Sequence, residues 1–261
     1  MKDLEMEMVE LLIRMKKSYG VVELKAEFEA EAVRIQEAMR LKDVAEKAGL
    51  GIIIKIGGAE AITDMFEAQH IGVTGLVAPM VESAYAMRKF LEAIKMHFSV
   101  DLRKRISFGV NIETGLAYTN LKDFLNERQI TLINKVTLGR VDMSGSLGLS
   151  RMEINSDKLF DIAQDIFIMV KKKGFETAMG GGIAVEAIPF ITKLVRKRLL
   201  DYYETRKVVF KTSKSLKKAK EGIILANRFE LLWLQNKNNY YERICHEDDK
   251  RIRMLKARIK K

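Results

Sequence analysis

The chain has 261 residues, 48% of them hydrophobic, with only 2 Pro and 17 Gly. That is enough apolar material for one large core, and no stretch has the composition of a linker or disordered tail, so a single folded unit is expected. A net charge of +11 raises nucleic acid as a partner, but the excess sits in three late runs, Lys171–Lys173, Lys207–Lys220 and Lys250–Lys261, without zinc-finger spacing or a helix-turn-helix pattern. A solvated basic face and no nucleic-acid partner are expected.

The single cysteine, Cys245, excludes an intramolecular disulfide and a cysteine-rich metal site. Residues 1–17 carry acids where a signal peptide would carry positive charge, and no segment reaches the ~18 apolar residues of a membrane span. A soluble cytoplasmic protein without a membrane partner is expected.

In chain order, Leu4, Met8, Leu11, Leu12 and Met15 fall at helical spacing, so an amphipathic helix opens the chain and ends at Gly20. A short strand, Val21–Ala26, follows. Helix 30–48 then leads through Gly49 and Gly51 to Ile52–Ile56, whose β-branched run is the clearest strand. The alternation continues: helix 58–70, strand Gly75–Pro79, helix 82–97, strand Ile106–Ile112, helix 117–129, strand Lys135–Val141. Helix 155–173, strand Glu176–Met179, helix 184–199 and strand Lys207–Phe210 complete it. Strands that are apolar throughout, alternating with helices, predict a parallel sheet covered on its faces.

The expected architecture is therefore α/β, a TIM (β/α)8-type barrel over residues 1–213. Seven strands are legible; either a first strand ahead of the opening helix is missing or very short, or Lys207–Phe210 is the eighth. Residues 214–261 read as a C-terminal helical extension in three pieces, broken at Asn236-Lys237-Asn238-Asn239, that packs on the barrel or on a neighbouring subunit. A homo-oligomer is expected from it.

Barrel active sites lie at the carboxyl ends of the strands. Lys55 closes Ile52–Ile54, Glu113 follows Phe108–Ile112, and Asp142 follows Thr137–Val141. Two carboxylates facing each other raise one pKa unless a cation sits between them, and oxygen ligands suit Mg²⁺ or Mn²⁺. Helix capping or pairing with a Lys or Arg explains the same residues on spacing alone. Gly180–Gly182 reads either as an anion cradle through its backbone N–H groups or as a tight turn. Ser144 and Ser146 either donate to a substrate or cap a turn. His70, His97 and His246 fall on helices and read as surface or packing residues.

Four segments carry a resemblance: Lys55-Ile-Gly-Gly-Ala-Glu-Ala-Ile-Thr-Asp64, Gly75-Leu-Val-Ala-Pro-Met-Val-Glu-Ser83, Val110-Asn-Ile-Glu-Thr114 and Gly139-Arg-Val-Asp-Met-Ser-Gly-Ser-Leu-Gly148. In order and spacing across residues 20–185 they resemble the HpcH/HpaI aldolase/citrate lyase family. The resemblance implies a metal-dependent carbon–carbon lyase acting on a 2-oxo acid through a pyruvate-type enolate, with Glu113 and Asp142 as metal ligands. It also implies departures. Lys55 stands where those aldolases carry an Arg, and Phe28 stands near the place of their His base. Glu27 or Glu29, with a raised pKa, or else a metal-bound water, is then a candidate for the acid/base role, and Arg140 or Arg151 for the missing guanidinium. Glu82 resembles a Glu of the citrate lyase branch, and Lys55, Glu82, Ser144 and Gly181 are candidate substrate-binding residues. Two alternatives stand beside this: a Schiff-base aldolase using Lys55, and a non-catalytic barrel used as a binding subunit.

Overall fold

A computed structural model describes residues 2–259. Helix α1 (Lys2–Tyr19) precedes eight strands that close a barrel in sequence order: β1 (Val21–Glu27), β2 (Gly51–Lys55), β3 (Gly75–Ala78), β4 (Ser107–Ile112), β5 (Lys135–Gly139), β6 (Glu176–Gly180), β7 (Tyr202–Glu204) and β8 (Val208–Lys211). The connecting helices are α2 (Ile35–Lys47), α3 (Ile62–Ile71), α4 (Ala84–His97), α5 (Val100–Arg105), α6 (Gly115–Thr119), α7 (Leu121–Phe124), α8 (Arg140–Ser146), α9 (Asp157–Lys172) and α10 (Ile188–Arg196). After β8 come α11 (Thr212–Ser215) and α12 (Ala219–Ile259).

Strands β1 to β7 are parallel, but β8 runs antiparallel to both β7 and β1. The expected all-parallel sheet is corrected here: β7 and β8 form a hairpin joined by Thr205–Lys207, too short for a crossover helix. The strand absent from the sequence reading is β7, not one ahead of α1. It is three residues long and lies between two charged segments, so no apolar run marks it. The hairpin puts Glu204 and the turn at the same end of the barrel as the carboxyl ends of the other strands.

Nor are the strands apolar throughout. In β1, Leu24 and Ala26 are fully buried in the main core, while Lys25 and Glu27 reach the charged groups of β7 and β2. The period of two thus separates a helix-packed outer face from a charged inner one.

Two helical readings are also corrected. The expected helix 117–129 is broken into α6, α7 and a 3₁₀ turn, with Gln129 in a left-handed conformation at φ 73°. The expected break at residues 236–239 does not occur, because α12 is one helix of 41 residues. Asn236 is fully buried, accepting from Arg40 (3.2 Å) and donating to Glu5 (3.3 Å), so its side chain is satisfied by α2 and α1 and does not compete for the helix backbone. Lys237 and Tyr241 both reach Glu37 at the start of α2. Beyond Tyr241 nearly every residue of α12 is exposed.

Candidate active site

The barrel mouth at the carboxyl ends of β1 to β7 holds a cavity of about 410 Å³. Its charges form a chain across the opening. The Lys25 ammonium donates to Glu204 Oε1 at 2.6 Å and lies 3.3 Å from Glu27 Oε1. Lys55 Nζ is 3.1 Å from Glu27 Oε2 and 4.0 Å from Glu113 Oε1. Glu113 Oε1 accepts from the Asn111 amide at 2.9 Å, and its Oε2 accepts from the Met80 N–H at 3.3 Å. The order Glu204, Lys25, Glu27, Lys55, Glu113 alternates in sign, which is how buried charges are tolerated.

Glu113 follows β4 directly and stands against β5. A Cβ on Gly139 would lie 2.6 Å from Glu113 Cγ, so only glycine at the end of β5 leaves that carboxylate its place. Asp142 lies three residues further on, in the first turn of α8, exposed and lining the cavity.

The electrostatics separate the carboxylates. Burial raises the pKa of Glu113; Lys55 and the Asn111 amide pull it back, and the Asp142 charge adds to the rise. Burial also acts to raise Glu27, but Lys25 and Lys55 overcome it and hold its pKa below the ordinary carboxylate value. The raised pKa expected of Glu27 is thus corrected. Burial works against the Lys25 charge too, yet Glu204 and Glu27 raise its pKa well above the ordinary lysine value.

Lys55, Glu27, Glu113, Asp142 and Gly181 come together around the cavity, and Arg151 lines it as well. Arg140, Glu82 and Ser144 are placed elsewhere. The Arg140 guanidinium is fully buried, donating to the Gly181 and Gly182 carbonyls at 2.9 and 3.1 Å and to Asn155 Oδ1 at 2.7 Å, and lies over the Phe190 ring. Burial pushes its pKa down to about 10. It props the turn after β6, where Gly181 sits at φ +76° and a Cβ would come within 2.7 Å of the Val141 nitrogen. Glu82 accepts from Thr114 Oγ1 at 2.5 Å. Ser144 Oγ donates to the Val141 carbonyl at 2.8 Å. Each of the three holds a loop. Phe28 packs against the core and Glu29 is exposed, outside the cavity lining.

Lys25, Asn111, Glu204 and Arg206 also line the cavity and are not among the sequence candidates. For Lys25 a signal exists: a Lys two residues before Glu27 on a strand shares its face. For Glu204 and Arg206 none does, since β7 itself is not legible.

Among the described residues no three His, Cys, Asp or Glu side chains converge as a metal-binding group. Glu113 and Asp142 both line the cavity, and two oxygen ligands of this kind would suit a hard cation that keeps most of its shell as water or substrate oxygens.

No protein-family model and no curated protein sequence matches the chain. Solved structures do match. Citrate synthase SbnG superposes with a TM-score of 0.60 at 15% identity, over 85% of this chain and 89% of that one. An HpcH/HpaI aldolase from Desulfitobacterium hafniense DCB-2 gives 0.57 at 15%, over 74% and 88%. Haloferax volcanii malate synthase, in a magnesium/glyoxylate complex, gives 0.55 at 14%, over 74% and 63%. The chain therefore has the barrel fold seen in HpcH/HpaI aldolase/citrate lyase structures. No helix among the described residues is long and apolar enough to cross a membrane.

Proposed function

We propose that the protein is a divalent-metal-dependent carbon–carbon lyase or aldolase acting on a 2-oxo acid. The observation that carries this reading is the Glu113 and Asp142 pair. The two carboxylates are close enough to raise the cost of charging Glu113, while the cavity lysines are already engaged. Lys25 is held by Glu204 and Glu27, and Lys55 lies nearer Glu27 than Glu113. One further cation is what the site's charge calls for. Malate synthase, whose barrel this one resembles, is described with magnesium and glyoxylate.

Mg²⁺ or Mn²⁺ held by Glu113 and Asp142 would polarise the substrate carbonyl and stabilise the enolate left when a carbon–carbon bond breaks. Lys55 supplies positive charge beside the substrate carboxylate, as a point charge without the bidentate fork of an arginine. Glu27, kept ionised by two lysines, orients Lys55 and screens it. Gly181 lines the cavity, and its backbone N–H would be the group to meet a carboxylate there. Arg151 and Arg206 line the same cavity; Arg206 donates to Glu31 at 2.8 Å, which leaves Arg151 as the freer cation for a second substrate.

Exchange of the pyruvate methyl protons with deuterated water, followed by NMR, tests this without the second substrate. Exchange should require Mg²⁺ or Mn²⁺ and vanish on chelation or in Glu113→Gln. A second reading rests on the placement of Lys55, 14% exposed with carboxylates at 3.1 and 4.0 Å to move protons: it forms a Schiff base with the 2-oxo acid. Exchange that survives chelation, with borohydride trapping pyruvate on Lys55, would select it and end the metal reading.

We further infer that copies associate through the exposed half of α12, where Ile244, Ile252, Leu255 and Ile259 are exposed at helical spacing. Sedimentation of the Ile252→Asp/Leu255→Asp variant should show smaller particles than the parent; unchanged mass would discard that role.

A further inference from the structure

The fold gathers cations that the sequence scatters. Helices α1, α9 and α10 all end at the amino-terminal end of the strands, and β8, running the opposite way, also ends there and leads into α11. Lys16 and Lys17 close α1, Lys172 and Lys173 close α9, and Arg196–Arg198 close α10; all are exposed. Lys214, Lys217, Lys218 and Lys220 follow β8 and are exposed as well. Because β6, β7, β8 and β1 are neighbours in the barrel, these groups form one arc. Backbone bonds tie the arc together: Thr212 N–H donates to the Asp201 carbonyl at 2.8 Å and Lys211 N–H to the Gly20 carbonyl at 2.9 Å.

Basic residues at helix carboxyl ends are ordinary, since the helix dipole favours them there by about 0.3–1 kcal/mol each. That accounts for the ends of α1, α9 and α10. It does not account for Lys217, Lys218 and Lys220, which stand just before and within the first turn of α12, where the same dipole opposes them and Glu221 is the one acid. Between Lys16, Lys17 and Lys214 lies a groove of about 530 Å³ with Val21, Val22 and Leu50 at its floor. The ring of Tyr19 is taken up by Arg14 and Lys218 at 5.9 and 5.6 Å, so no free aromatic face is offered to an unpaired base.

We propose that this end of the barrel binds nucleic acid through its phosphate backbone, independently of sequence and apart from the active site. Phosphates spaced along a duplex match an arc of separate ammonium and guanidinium groups.

Fluorescence anisotropy with the full chain and a labelled 20-base-pair DNA duplex tests the proposal. Binding should weaken steeply with salt, log Kd changing with log salt by about 0.9 per phosphate neutralised. The variant Lys214→Glu/Lys217→Glu/Lys218→Glu/Lys220→Glu should lose about tenfold or more in affinity at low salt, with a shallower salt slope. Lys16→Glu/Lys17→Glu, on a different element, should weaken binding in the same direction. Reversals at Lys122 in α7 and Lys158 in the first turn of α9, both exposed and outside the arc, should leave Kd within about twofold. Absence of duplex binding at low salt, equal losses in this control, parent-like binding by both arc variants, or binding only to phosphatidylserine vesicles would each overturn the proposal.

Discussion

The two ends of the barrel handle charge in opposite ways. At the carboxyl ends of β1 to β7, Lys25 and Lys55 alternate with Glu204, Glu27 and Glu113, and burial makes each ion depend on its neighbour. At the other end, Lys214, Lys217, Lys218 and Lys220 stand in solvent with little acid beside them. Charges in the first set are coupled and costly to remove singly; those in the second are nearly independent and screened by salt. The net charge of +11 therefore says little about the candidate site and much about the opposite face.

The largest effect that sharpens this contrast is expected at Lys25. Lys25→Met leaves Glu204 and Glu27 buried beside a missing partner and should cost about 3–5 kcal/mol in urea unfolding. A loss below about 1 kcal/mol would show that the mouth charges are not coupled.

A smaller effect is expected where α12 is pinned over the start of α2. Burial acts to raise the pKa of Glu37, but hydrogen bonds from Tyr241 and Lys237 outweigh it and leave the value lowered. A carboxylate whose folded pKa is depressed stabilises the fold fully above its unfolded pKa, near 4.3, and loses that contribution as pH falls through the folded value. Glu37→Gln should therefore cost about 1–3 kcal/mol at pH 7, and the difference from the parent should shrink as pH falls below about 4. A pH-independent difference would assign the loss to packing.

The smallest effect is expected from Lys217→Glu/Lys218→Glu, which should change unfolding free energy by no more than about 0.5 kcal/mol. It should also leave unchanged the pyruvate proton exchange proposed for the other end of the barrel. A change in that exchange would mean the two ends communicate.

Much of the fold is legible in the sequence because apolar periodicity reports the outer barrel face. Ile52, Ile54, Leu76, Val110 and Val136 are all nearly or fully buried in the main core. What is not legible is what periodicity does not encode. β7 is too short to show a pattern, and its pairing with an antiparallel β8 depends on a turn of three residues. Asn236 reads as a helix breaker until Arg40 and Glu5, distant in sequence, satisfy its amide.

The candidate site divides along the same line. Glu113, Asp142 and Lys55 follow apolar runs directly, so strand-end position alone finds them. Arg140 also sits at a strand end but points into the wall, because the turn carbonyls of Gly181 and Gly182 claim its guanidinium. Glu204 could be found only once the hairpin is known.

Calorimetric titration of Mn²⁺ into the parent, Glu113→Gln and Asp142→Asn probes the proposed metal site itself. One site is expected in the parent, with affinity lowered about tenfold or more in each variant while the melting profile is retained. Equal affinity in all three, or no binding to the parent, would rule out Glu113 and Asp142 as the ligands.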